Sequence, residues 1–489
     1  LDEVGDARKL THFSEENDVR YGNSRVCSRA MRSLLFPLVG VSAVSILAAG
    51  ACGGNTDSAS ASDAGNDGPQ RFETAPPDDY VPYTRQTTLC VPGAYTNPVG
   101  EPDASSFDVG DAGDDDAGPA ISLPHVISYG GPVLAHPQVV PITYLGDPLA
   151  DQIEDFASSL GCTDYWRQVA SEYGVGQLGM ATPVRLTTAA AASTTDNAIQ
   201  VFIAHQITAA APGFANPPDD VLFAVYLPSG TSVELQGTTS CSNSGSSFLG
   251  YHSSFAYSGK EIAYAVIARC NGDVIDDVTS TSSHEFIEGS TDPNPFTNAA
   301  YEQPDDDHIA FSFGGGGGEV GDLCVNDRNA DYRPDGYPFL VQRIWSNASL
   351  AAGHDPCVPA VTAPYVAAIP DQPDTVNIQN AEIMGPGTTR GIAIPVGGQR
   401  TVDIHFHTDN PATTTWTISA ADSSRFLEGT THLTLALDTT TATADGIAHL
   451  TITRNSKSTI YGAEPFTVRA TLADKSNSAS WAGVVGDPQ

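Results

Sequence analysis

Basic residues are scarce in this chain. Lys and Arg number 22 against 58 Asp and Glu, so the 489 residues carry a formal charge of −36. No cluster of Lys or Arg is visible, which argues against a nucleic-acid partner, because phosphate binding depends on clustered cations. Long apolar runs are missing too. The run Leu34–Ala49 falls short of the about 20 residues that a membrane-spanning helix needs. Eight Cys occur without one C-x-x-C pair, so the usual thiolate zinc frameworks lack their signature. The five-glycine run at Gly314–Gly318 is followed by no Lys and is a loop, not a phosphate cradle. His252-Ser253 sits in no G-x-S-x-G nucleophile turn, and His252 reads as a core or turn histidine. Asn326, Asp327, Asp331 and Asp335 lack the spacing of an EF-hand.

What is present begins at Met31-Arg32-Ser33. One positive charge precedes the apolar run, and small residues lead into Gly50-Ala51-Cys52-Gly53. That is the layout of an export signal, and its end resembles a lipobox with Cys52 as the lipidated residue. Ala49 departs from the Leu usual at its position. Residues 31–51 are therefore expected to be a lipoprotein signal peptide, with an ordinary signal peptide cut nearby as the alternative. Residues 1–30 are polar and are expected to be an upstream extension from a misplaced start, with a genuine long n-region as the alternative. Residues 52–119 are rich in Asp, Gly, Ala, Ser and Pro, a composition that cannot bury enough apolar surface to offset chain entropy. They are expected to form an acidic, flexible tether.

Apart from Cys27 and Cys52, six Cys remain. An even number in an exported chain suggests disulfides. Sequential pairing is expected: Cys90 with Cys162, Cys241 with Cys270, and Cys324 with Cys357.

The expected fold is α+β: a mixed-sheet domain over residues 120–362, with a zincin-like arrangement as one option, followed by an all-β sandwich over 363–489. In the first domain Val139–Leu145, Ile199–Ile203, Val221–Leu227 and Tyr264–Ala268 read as buried strands. Asp151–Tyr173 reads as a helix from the spacing of Ile153, Phe156, Leu160, Trp166, Val169 and Tyr173. A second helix is expected from Ile275 to Ser290. In the second domain Thr401–His407, Leu433–Leu437 and Phe466–Leu472 alternate apolar with polar residues, as half-buried strands do. His405 and His407 share one strand face, which reads as a solvated surface.

The chemistry concentrates in Ser283-His284-Glu285-Phe286-Ile287-Glu288-Gly289-Ser290-Thr291-Asp292-Pro293. On a helix His284 and Glu288, four apart, share a face, where an imidazole and a carboxylate can reach one divalent ion. Glu285 follows the His, in the place of the general base of H-E-x-x-H metalloproteases. A Glu replaces the second His, so Ca²⁺ or Mn²⁺ becomes acceptable beside Zn²⁺. Glu319 or Asp322, in Gly318-Glu319-Val320-Gly321-Asp322-Leu323-Cys324, would supply the third ligand. The other reading of this helix is a capping and salt-bridging pair. Asp305-Asp306-Asp307 with His308 reads as a solvated acidic loop.

Together with Tyr129–Leu134, Val140–Gly146, Asp155–Leu160, Gly250–Ser254, Tyr264–Ile267, Glu319–Cys324 and Gln342–Ser346, this segment resembles bacterial relatives of the phosphate-induced protein, or exordium-like, family. The likeness covers about residues 127–358. It implies a secreted or cell-surface protein without a settled biochemical activity. Plant members keep the T-[DN]-P turn without the His-Glu pair, which implies that the fold does not require a metal.

Two functions follow. One is an exported lipoprotein, at the outer membrane or cell surface, with a metal-dependent hydrolase domain, most simply a peptidase using Zn²⁺. The other is a non-catalytic surface protein that binds wall or matrix polymer. Either would be a lipid-anchored monomer.

Overall fold

The computed structural model describes residues 106–107, 121–242, 247–314, 317–381, 385–410, 412–413, 415–444 and 446–487. The expected signal peptide, Cys52, Cys90 and most of the expected tether lie outside the described residues. Within that range, Ser106–Phe107 pair antiparallel with Ile121–Ser122. No described helix is long and apolar enough to cross a membrane.

The chain is mixed α/β. Its first sheet contains β1 (Gln138–Thr143), β2 (Gly179–Met180), β3 (Val184–Arg185), β4 (Val221–Tyr226), β5 (Gly250–Tyr257) and β6 (Lys260–Ile267), in spatial order β5-β6-β4-β1-β2 with β3 also beside β1. The β5–β6 hairpin is antiparallel, and the other pairings are parallel. Strands covered on both faces read as continuous apolar runs. In β4, Leu222, Ala224 and Tyr226 face one layer while Val221, Phe223 and Val225 face the other.

The helices are α1 (Ala150–Ser159), α2 (Asp164–Ala170), α3 (Asp196–Thr208) and α4 (Ile275–Thr291). Two expectations are corrected here. The single helix expected over Asp151–Tyr173 is broken at Leu160–Cys162, a 3-10 turn, and restarts where the Thr163 side chain accepts the Trp166 amide. Gly161 passes so close to the Leu178 carbonyl that a Cβ would lie 2.0 Å from its oxygen. The strand expected at Ile199–Ile203 lies instead in α3. Its β-branched run suggested a strand, but Thr195 caps a helix through the Ala198 amide. Ile199, Ile203 and Ile207 then fall on one face against the sheet, leaving Val201 exposed.

Helix α4 lies on the sheet face opposite α3, alongside α1. It is rich in Ser and Thr and yet almost wholly buried from Val278 onward. Several of its buried hydroxyls are satisfied within the helix: Ser282 donates to the Val278 carbonyl, Ser290 to Phe286 and Thr291 to Ile287. Such back-bonding makes these residues tolerable in a buried helix. Asp276 and Asp277 in the first turn suit the positive helix end.

The C-terminal part is a sandwich-like pair of sheets. One has four strands, Val366–Pro370, Gln399–Thr408, Ile447–Arg454 and Leu433–Leu437. The other has six and includes Thr415–Asp422, Glu464–Leu472 and Ser478–Gly486. Ile404, Trp416, Leu450, Phe466 and Val468 fill the space between them. This part also shares a core with the α/β part: Tyr365, Ala367, Ile369 and Trp481 join the cluster that contains Phe286 and Ile287. Phe311 sits edge-on to Trp481 at 5.6 Å, and Phe313 stacks on Tyr461 at 4.3 Å.

Disulfides link Cys241 to Cys270 and Cys324 to Cys357. Cys162 is disulfide-bonded as well.

Candidate metal centre

Helix α4 presents His284, Glu285 and Glu288 to a closed interior. The short helix α5 (Asp322–Val325) approaches from the other side, held by the Cys324–Cys357 bridge. His284 Nε2 lies 2.8 Å from Glu288 Oε2 and 3.6 Å from Asp322 Oδ1. One donor atom from each of the three lies within 4.8 Å of the other two. Gly321 permits this approach. A Cβ there would stand 2.7 Å from His284 Nδ1 and 2.8 Å from Glu288 Oε1. The Gly321 and Asp322 amides instead donate to Glu288 Oε1 at 3.0 and 3.1 Å.

The other ring nitrogen of His284 has its own partner. Nδ1 lies 3.1 Å from Gln342 Oε1, and Gln342 Nε2 donates to the Gly321 carbonyl at 2.8 Å. An amide oxygen can only accept, so Nδ1 carries a proton and Nε2 is the nitrogen that faces the carboxylates, free to bind an ion once its own proton is lost. Metal-binding histidines are commonly oriented in this way.

His252 is buried, as a core histidine would be, and its ring also reaches the cluster. It lies on β5 facing α4, where Gly289 makes room for it. Its Nδ1 is 3.6 Å from Glu285 Oε2 and 3.7 Å from Glu288 Oε2, and its Nε2 is 3.3 Å from Glu319 Oε1. Glu319 therefore does not join the His284 set; it converges with His252 and Glu288, and separately with Asp292 and Glu302. Glu285 is in none of the convergent sets among the described residues. It seats against Gly250, whose Cβ would be 2.5 Å from Glu285 Oε1. Asp292 lies in the T-D-P turn and His252 in the Gly250–Ser254 segment, but no spacing linked either of them to Glu302. The sheet and a loop bring these residues together from far along the chain.

All eight side chains are buried, none more than 5% exposed. Burial disfavours charge and pushes the Glu319 carboxyl up to about 8, against the opposing pull of His252. Burial likewise raises Glu285 and Glu302. For His284 burial acts downward, but the facing Glu288 prevails and lifts it to about 9. Glu288 is held below its ordinary range: burial would raise it, and His284 overrides that. The cluster thus contains more acid than its two imidazoles can neutralise, which suits a divalent cation.

The other candidates resolve into structural contacts. Asp305 pairs with His308 at 2.7 Å and with His125 at 3.0 Å, while Asp306 and Asp307 are exposed. His405 meets Asp371 at 3.1 Å, and His407 meets the Gly353 carbonyl at 2.7 Å. A cavity of about 490 Å³ lies beside β5, lined by residues including Ser253, Ser254, Asp196, Gln200, Glu234 and Phe296.

No family model and no curated protein matches the chain. Among solved structures, the S-layer protein SbsC domains 4 and 5 are similar at 10% identity over 33% of this chain and 91% of that one, with a TM-score of 0.15. A family 123 glycoside hydrolase from Clostridium perfringens is similar at 12% identity over 25% of this chain and 27% of that one, with a TM-score of 0.16. Scores this low carry no argument about fold or function.

Proposed function

We propose that this protein is an exported, lipid-anchored metal-dependent hydrolase of the peptidase type. His284, Glu288 and Asp322 hold one divalent cation, and Glu285 acts as the general base. The convergence of His284 Nε2, Glu288 Oε2 and Asp322 carries the reading, with Gln342 fixing the imidazole. A nitrogen-and-carboxylate set accepts Zn²⁺ and also Mn²⁺ or Ca²⁺. Such an ion acidifies a water and polarises a carbonyl. Glu285 lies in the same chamber but outside the ligand sets, so it is available to take a proton from water and deliver it to a leaving amine. The helix carries the H-E-x-x-E variant of the zincin motif, here on an α/β sheet whose sequence resembles the exordium-like family.

One observation favours a second reading, a non-catalytic surface protein that binds wall or matrix polymer. His284, Glu285 and Glu319 are each 0% exposed. A polymeric substrate does not reach side chains enclosed in this way, whereas an ion that only holds the fold together needs no such access.

Glu285→Gln separates the two. The hydrolase reading expects full metal content and loss of peptide hydrolysis, measured by elemental analysis and cleavage of a casein or peptide-library substrate. Wild-type protein that holds metal but cleaves nothing would leave the structural reading standing. Export and anchoring rest on the signal pattern and Cys52. Cys52→Ser should move the protein from the membrane to the soluble fraction, and unchanged membrane recovery would refute the anchor.

A further inference from the structure

Two acids in the cluster have no role in the one-ion site just described. Asp292 ends α4, and Glu302 comes from the loop that follows. With Glu319 they form an all-oxygen set, one oxygen from each lying within 4.8 Å of the others. Asp292 is 0% exposed and Glu302 1%. The loop between them is fixed. The Ala300 amide donates to Asp292 Oδ1 at 2.9 Å, leaving Oδ2 for the set, and the amides of Tyr129 and Gly131 bond to the carbonyls of Ala300 and Ala299.

Glu319 supplies the independent sign of a ligand. It is 0% exposed, yet neither of its oxygens accepts a hydrogen bond. Its ion-pair neighbour is His252 Nε2 at 3.3 Å, but that nitrogen is also 3.1 Å from the Asp292 carbonyl, an acceptor for its one possible proton. No Lys or Arg pairs with Asp292 or Glu319 among the described residues. A buried carboxylate without donors is costly, and a cation removes that cost.

The two ends of the cluster are joined. Glu288 and Glu319 share a set through His252. Glu288 has Oε1 bound by two amides and offers one oxygen, whereas Glu319 has two to offer and can bridge.

We propose that the chain binds a second divalent cation at Asp292, Glu302 and Glu319, next to the His284–Glu288–Asp322 ion; Glu319, which stands outside that first set without metal, turns its second oxygen toward Glu288 and bridges the pair. An all-oxygen set takes a hard cation such as Mn²⁺, Mg²⁺ or Ca²⁺. Paired ions in hydrolytic centres sit roughly 3.5–4 Å apart. This rests on the single-ion reading above, and the experiment distinguishes the two.

Metal-stripped full-length protein is titrated with Mn²⁺, followed by calorimetry and electron paramagnetic resonance. Two Mn²⁺ per chain with an exchange-coupled spectrum are expected. Glu302→Gln, which keeps the size and hydrogen-bonding capacity of the side chain, should bind one Mn²⁺ with an uncoupled six-line spectrum. Asp322→Asn should likewise retain one ion, at the other site. Circular dichroism confirms that each variant is folded. One uncoupled Mn²⁺ in the wild type, or two in Glu302→Gln, overturns the second site and leaves the first standing. No Mn²⁺ in the wild type overturns both.

Discussion

Replacing Gln342 by Leu removes the buried hydrogen bonds of its amide to His284, the Gly321 carbonyl and the Arg343 carbonyl, while nearly preserving side-chain volume. The His284 Nδ1–H loses its acceptor, whereas the Gly321 carbonyl loses one donor and keeps the Cys324 amide at 3.1 Å. Gln342 is 4% exposed and His284 0%, so water does not readily replace either partner. Each buried group left without a partner costs about 1–3 kcal/mol. The metal-free fold should therefore lose roughly 1–3 kcal/mol in urea unfolding. The imidazole is also freed to rotate or change tautomer, which should weaken the first metal ion about 10- to 100-fold, as loss of such outer partners generally does. Calorimetric titration of stripped protein reads this directly. Gln342→Glu is the informative companion. It keeps an acceptor for Nδ1 but sets a carboxylate oxygen against the Gly321 carbonyl, so it should orient His284 and still lose stability. If Gln342→Leu unfolds within about 0.5 kcal/mol of wild type and binds metal equally well, the tautomer argument is wrong.

Other outcomes follow from the same geometry. Removing the Cys324–Cys357 bridge with paired Ser substitutions should lower stability by about 2–4 kcal/mol and weaken metal binding, because Asp322 is two residues from Cys324; unchanged affinity would show that α5 is placed without the bridge. Metal affinity should rise with pH, since in the metal-free protein Glu319 keeps its proton up to about 8 and His284 up to about 9, and these protons compete with the ion. Both groups bind protons more tightly folded than unfolded, so their contribution to metal-free stability is lost as pH rises from about 5 to about 9; a melting temperature that climbs over this range in chelator would contradict the shifts. Ile203→Ala should cost about 2–5 kcal/mol and Val201→Ala no more than about 0.5. Equal losses would mean that the two side chains share a buried face, as in a strand and not in α3.

The legible parts were those where local spacing carries the signal. His284 and Glu288, four apart after a Ser/Thr-rich run, indicate a helix face whether or not a metal binds. Val221–Leu227 is apolar at every position, which suits a strand covered on both sides. Ile199–Ile203 was misread because β-branched composition was weighed above the Thr195 cap and the four-residue spacing continued by Ile207. The break at Gly161 and Thr163 was missed because the apolar spacing of Leu160 and Trp166 bridges it. His252, Asp292 and Glu302 were illegible as a set, since their proximity depends on strand order and on a loop folding back. Gly250, Gly289 and Gly321 were the remaining traces, each small where a charged side chain needs room, but a glycine alone does not say what it accommodates.

The centre is built from residues 252 to 342, so it does not exist in an extended chain. In the exported protein proposed above, a chain crossing a membrane unfolded carries His284 and Glu288 as separate, weakly binding groups, and the donor sets close only after Gln342 and Cys357 have emerged. Metal selection then happens in the compartment where folding finishes. Its identity would reflect the supply outside the cytoplasm at that moment, and enclosure of the site would make the first ion captured slow to exchange. Protein refolded in different metals should accordingly retain different ions.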